Sequence, residues 1–142
     1  MIKIFNNIVI SAFDDGFMDY AIPMYMSVKR FHPELPLFAG SLGLSDKNQK
    51  VIQSLGVTVL ENKGFVPDHL CLSDLILQSF LEGVCFRSVM WIDADTLMLR
   101  PFSHLFDMPY EFIGHGGNIE EGRFEFNHPR SFIERKEIKG TL

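Results

Sequence analysis

Short apolar, β-branched runs alternate with stretches of helical spacing along most of this chain, and that alternation restricts the fold more than any other feature. Ile8-Val9-Ile10 forms the centre of a buried strand expected from Asn7 to Ala12. From Met18 to Phe31 the apolar residues Ala21, Met24, Val28 and Phe31 recur at spacings that put them on one helical face. Pro23 sits near the start of that helix, where a missing N–H costs little. Leu35 to Ala39 reads as a second strand, Ser45 as the N-cap of a helix that runs to Leu55 and stops at Gly56, and Val57 to Leu60 as a third strand. After a loop from Gly64 to Asp68, a helix capped by Asp68 is expected to reach Glu82 and close at Gly83. Ser88 to Ile92 is the fourth strand. Pro101 to Phe106 suggests a short helix, Tyr110 to Gly114 and Phe124 to Phe126 further strands, and Gly116 to Arg123 a loop.

Strands that alternate with helices imply parallel pairing through right-handed crossovers. The expected fold class is therefore α/β, a Rossmann-like, mostly parallel sheet with helices on both faces. The 142 residues, 46% hydrophobic and 22% charged, suit one domain spanning 1–142, and 14 phenylalanines imply an aromatic-rich core. Open sheets of this kind bind ligands at the carboxyl ends of their strands. That rule singles out the segments after the first and the fourth strand.

A net charge of −5 without a basic stripe argues against a nucleic-acid partner. A nucleoside diphosphate remains compatible when a divalent cation neutralises its phosphates. No run approaches the length of a membrane span, and Ile8-Val9-Ile10 is too short for a signal-peptide core, so a cytoplasmic protein is expected. Cys71 and Cys85 lie among apolar residues and are expected to be buried thiols rather than a disulfide. Neither shows zinc-ligand spacing.

The fourth strand runs Val89-Met90-Trp91-Ile92 directly into Asp93-Ala94-Asp95-Thr96. Two buried carboxylates so close are costly unless a positive charge joins them. Mg²⁺ or Mn²⁺, which prefer hard oxygen ligands, would answer that need and can hold a diphosphate while it leaves. The pair also fits a plain turn or cap at a strand end. A further alternative is the haloacid dehalogenase-type motif, Asp-x-Asp-x-Thr after an apolar strand, with Asp93 as nucleophile and Asp95 as general acid. Here the Thr follows the second Asp directly, and three β-α units precede the motif rather than none.

Val89 to Asp95, with Leu97, Arg100-Pro101-Phe102 and Leu105-Phe106-Asp107 behind it, resembles the DxD region of GT-A glycosyltransferases, above all glycosyltransferase family 8. The opening strand is similar as well: Val9-Ile10-Ser11-Ala12-Phe13-Asp14-Asp15-Gly16, followed by Tyr20 and Ser27. The resemblance covers about Ile8 to Phe112. It implies the GT-A, nucleotide-diphospho-sugar transferase fold, with Asp93 and Asp95 as ligands of Mn²⁺ or Mg²⁺. It also implies that Ala12, Phe13, Asp14, Tyr20 and Ala94 line a nucleotide site beside those two carboxylates. The implied donor is a nucleotide-sugar, UDP-linked by likeness to the family, and the implied acceptor is the hydroxyl of a saccharide or another molecule. Asp15-Gly16 and Tyr20 equally suit an ordinary turn and helix packing.

The chain departs from the family in two places. Relatives often carry Lys or Arg at the start of the helix before the DxD strand, whereas this chain has Asp68-His69-Leu70-Cys71-Leu72-Ser73-Asp74, with no Lys or Arg among them. Relatives also continue further after the DxD motif, into an acceptor half with a third metal ligand, usually His. His115, in Gly114-His115-Gly116-Gly117-Asn118, and His128 do not match that motif. A fragment, a truncated product, a subunit that needs a partner and a binding module without turnover are all expectations consistent with that ending.

Overall fold

The computed structural model describes residues 3–62 and 80–108. The chain divides into two compact units, Met1–Phe102 and Ser103–Leu142. The first is α/β and holds β1 (Ile4–Phe13), α1 (Met18–Phe31), β2 (Leu37–Ser41), α2 (Asp46–Ser54), β3 (Thr58–Leu60) and β4 (Cys85–Trp91). The described part of the second holds a 3-10 turn, Ser103–Asp107, close to the short helix expected there. The rest of the expected helix before residue 80, the segments expected after Tyr110, and Cys71, His69, His115 and His128 lie outside the described residues.

The strands form a four-stranded, wholly parallel sheet in the order β3-β2-β1-β4. β1 is longer than its apolar run because its first residues pair with β4, Ile4 opposite Cys85 and Phe5 opposite Phe86. β2 starts two residues later than its apolar pattern suggests. Pro36 has no N–H to give, but its carbonyl accepts from Val9 N at 3.0 Å, so regular pairing begins at Leu37.

Side chains alternate across β1, so its two faces meet different partners. Ile8, Ile10 and Ala12 join Phe38, Phe80 and Leu81 in one buried cluster. Phe13 meets Tyr25 of α1 instead, with ring centroids 6.1 Å apart. Ala21, Met24 and Val28 of α1 are fully buried, as their spacing requires, while Phe31 is half-buried and Tyr25 takes its place in the core. Burial of a side chain the size of Met24 or Val28 contributes about 1.5–3 kcal/mol. The Tyr25 hydroxyl donates to the Phe38 carbonyl, and burial raises its pKa far above the usual tyrosine value.

Helix α2 begins and ends on its expected signals. The Ser45 hydroxyl caps it by accepting from Asn48 N at 3.4 Å. Gly56 ends it with φ +81°, a left-handed conformation that costs glycine little. Lys29, in the last turn of α1, donates its Nζ to the Leu55 carbonyl and so satisfies one of the open carbonyls at that end. Cys85 departs from expectation. It is exposed rather than buried, because it sits at the outer start of β4 ahead of the part that packs on the core. Among the described residues no helix is long and apolar enough to cross a membrane.

Candidate functional site

The order β3-β2-β1-β4 puts the reversal of strand order between β1 and β4. β2 lies on one side of β1 and β4 on the other, both parallel to it. A crevice outside the carboxyl ends at such a point is where open α/β sheets bind ligands. The two segments singled out from the sequence therefore leave the sheet side by side. Trp91 pairs with Ile10, and Ile92 N donates to the Ile10 carbonyl at 3.1 Å, the last ladder bond before the chain turns.

The chain after β4 makes a tight turn. Thr96 N donates to the Asp93 carbonyl at 3.0 Å, with Ala94 and Asp95 between them. Ala94 is buried at 8% exposure, while Asp93 and Asp95 are both exposed. The middle residue thus anchors the turn and turns both carboxylates outward. This changes the physical basis of the site, since exposed carboxylates carry little burial cost and desolvation does not demand a cation. The Trp91 indole Nε1 donates to Asp93 Oδ1 at 2.7 Å. Asp95 has no partner among the described residues.

The segment that follows is tied to α1. Met98 N donates to the Ser27 hydroxyl at 2.9 Å, and Phe102 N donates to His32 Nε2 at 3.0 Å. The His32 ring also meets Phe102 edge-on, with centroids 4.4 Å apart. Ser27 drew attention in the sequence only by likeness. Its structural task is to hold the strand-exit segment against the helix that follows β1.

On the β1 side, Asp14 accepts from Gly16 N at 2.9 Å and caps the 3-10 turn Asp15–Phe17. Asp15 Oδ1 accepts from Ser45 N at 2.9 Å, Ser45 Oγ at 3.3 Å and Asn48 Nδ2 at 2.8 Å. The Ser45 backbone N–H first, and then the Asn48 amide, hold the Asp15 carboxyl below its usual range. Ala12 is buried in the sheet core and the Phe13 ring is buried against Tyr25, so neither side chain reaches a ligand at this edge. The Phe13 carbonyl is occupied by Leu42 N at 3.0 Å. Tyr20 is 57% exposed and meets Phe17, itself 40% exposed, with ring centroids 6.1 Å apart. Phe17 was not singled out from sequence, although its spacing of three from Tyr20 carries that signal.

No protein-family model matches this chain, and no curated protein matches it.

Two exposed carboxylates flanking a buried alanine are a fitting donor set for Mg²⁺ or Mn²⁺, which commonly take one or two carboxylates and complete their shell with phosphate oxygens and water. Among the described residues no group of three or more His, Cys, Asp or Glu side chains could hold a metal ion. An open cleft of about 450 Å³ lies over the ends of β2 and β3, with Ser41, Gly43, Leu44, Gln49 and Glu61 in its lining, and neither Asp93 nor Asp95 borders it.

Proposed function

We propose that this chain binds a nucleotide-sugar at the shared edge of β1 and β4 and transfers its glycosyl group to an acceptor hydroxyl, as a GT-A glycosyltransferase similar to family 8. The observation that carries this is the meeting of the Asp14 loop and the Asp93-Ala94-Asp95 turn on neighbouring parallel strands at the sheet's reversal point. Asp93 and Asp95 would hold Mn²⁺ or Mg²⁺ together with the donor diphosphate. When bound, such a cation supplies positive charge to the departing diphosphate. Asp14 offers a carboxylate to the nucleoside, and Tyr20 with Phe17 offers an exposed aromatic surface for its base. The bond between the anomeric carbon and the phosphate oxygen breaks, a bond to the acceptor oxygen forms, and the hydroxyl proton is released. UDP is the favoured nucleotide through the likeness of the two motifs alone.

A binding module without turnover is the second reading, and it would use the same Asp93 and Asp95 pair. Release of nucleoside diphosphate from a sugar donor separates the two, since a module binds the donor and leaves it intact.

Asp95→Asn removes one charge from an exposed side chain and keeps its size. It is expected to abolish metal-dependent binding of a UDP-sugar, read by calorimetry, while leaving the melting temperature within about 2 °C, because exposed substitutions are usually worth less than ~0.5 kcal/mol. Unchanged binding in that variant contradicts the proposal.

A further inference from the structure

Trp91 closes β4, and its ring rests half-buried against the cluster of Ile8, Ile10, Ala12, Phe38, Phe80 and Leu81. It pairs with Ile10 of that cluster. An indole has few rotatable bonds, so packing of its body fixes the direction of its N–H. That N–H donates to Asp93 Oδ1 at 2.7 Å, two residues along the chain. Asp93 is exposed and would otherwise be free to rotate. The core thus reaches the rim of the sheet through one rigid side chain and holds one oxygen of the carboxylate. A carboxylate has enough lone pairs to accept this bond and still ligate a cation through its other oxygen, Oδ2.

We propose that Trp91 is a positioning residue that orients Asp93 for a divalent cation bound with a nucleoside diphosphate, an inference that rests on the function proposed above. Groups that orient a metal ligand from behind typically change metal affinity by about 10- to 100-fold when they are removed. The chain contains a single tryptophan, so all indole emission comes from Trp91, beside Asp93.

The test uses the full chain with UDP and Mn²⁺. Paramagnetic resonance of free Mn²⁺, read against the same UDP and Mn²⁺ without protein, measures affinity, and tryptophan emission measures quenching by the bound ion. In the natural sequence Mn²⁺ should quench emission saturably in the presence of UDP, and Mg²⁺ should displace it and restore the signal. Trp91→Phe should weaken Mn²⁺ binding roughly tenfold. Asp93→Ala should weaken it at least as much, and adding Trp91→Phe to Asp93→Ala should cost nothing further, because Trp91 acts through that carboxylate. Replacing the indole with its sulfur isostere benzothienylalanine keeps the shape, removes the N–H and should reproduce the Trp91→Phe loss even if the phenylalanine variant fails to fold. Affinity equal to the natural chain in the isostere, or losses that add in the double variant, overturn the positioning role and leave the proposed function standing. Absence of Mn²⁺ uptake by the natural chain with UDP overturns both.

Discussion

Asp15 Oδ1 accepts from the Asn48 side-chain amide at 2.8 Å, and through that bond the loop after β1 is fastened to the first turn of α2. The same oxygen takes the backbone N–H and the hydroxyl of Ser45, the residue that caps α2. A carboxylate at a helix start also meets the positive end of the helix dipole. The start of α2 is therefore occupied by the protein's own acid, and Asp14, one residue earlier, leads into a loop held at both ends.

Asp15→Ala should free that loop. Nucleotide binding should weaken, read by calorimetry with UDP and Mn²⁺, while Asp15→Asn should retain part of the affinity because its amide oxygen still accepts. The pH dependence has a definite sign. The folded carboxyl titrates below its unfolded value, so its stabilising contribution is full above the unfolded value, about 3.9, and is lost as pH falls through the lower folded value. The melting-temperature gap between the natural chain and Asp15→Asn should stay constant from neutral pH down to about 4 and narrow below it. A gap that widens on acidification contradicts this account.

Ser27→Ala removes the hydroxyl that accepts from Met98 N. The expected cost to stability is about 1 kcal/mol, the usual net value of one hydrogen bond. The stronger effect should be on Mn²⁺ affinity, because the Asp93–Thr96 turn is held at its far end by this contact. Ser27→Thr keeps the hydroxyl and should restore the affinity. A stability loss in Ser27→Ala with no change in Mn²⁺ affinity would show that the tether serves only packing.

Gly40→Ala tests the core beneath the site. A methyl group there would lie 2.6 Å from Phe80 Cδ2, well inside contact distance. The Phe80 ring is buried and cannot yield freely. Overpacking of this kind costs about 1–3 kcal/mol, read as a lower urea midpoint. A double change, Gly40→Ala with Phe80→Leu, should recover part of the loss by making room.

Most of the described sheet was legible in the sequence because its signals are local. Ala21, Met24 and Val28 set the buried face of α1, and Ser45 and Gly56 set the ends of α2. What was missed depends on distant partners. The early start of β1 is fixed by Cys85 and Phe86, and β2 runs on through Gly40 and Ser41 because they pair with Ala12 and Phe13 of β1. The position of Asp93 and Asp95 at the sheet's carboxyl edge followed from the apolar run before them. Their exposure did not, since only the turn with Ala94 tucked inward reveals it. Phe13 was singled out only by the likeness of the opening strand, and the packing of its ring on Tyr25 rests on a partner in the next helix. The tasks of Asp15 and Trp91 arise from Asn48, which is far along the chain, and from a core that orients an indole, and neither leaves a local pattern.

The central claim is that two exposed carboxylates at the β1/β4 edge bind a cation only together with a nucleoside diphosphate. Thermal melting of the full chain with Mn²⁺ alone, UDP with EDTA, and UDP with Mn²⁺ tests it directly. Binding at 100 times the dissociation constant adds about 2.7 kcal/mol of stability, which corresponds to a rise of roughly 5 °C or more for a chain of this size. The account predicts that rise for UDP with Mn²⁺, little or none for either component alone, and its loss in Asp95→Asn. No rise with any nucleoside diphosphate in the presence of Mn²⁺, or an equal rise in Asp95→Asn, contradicts it.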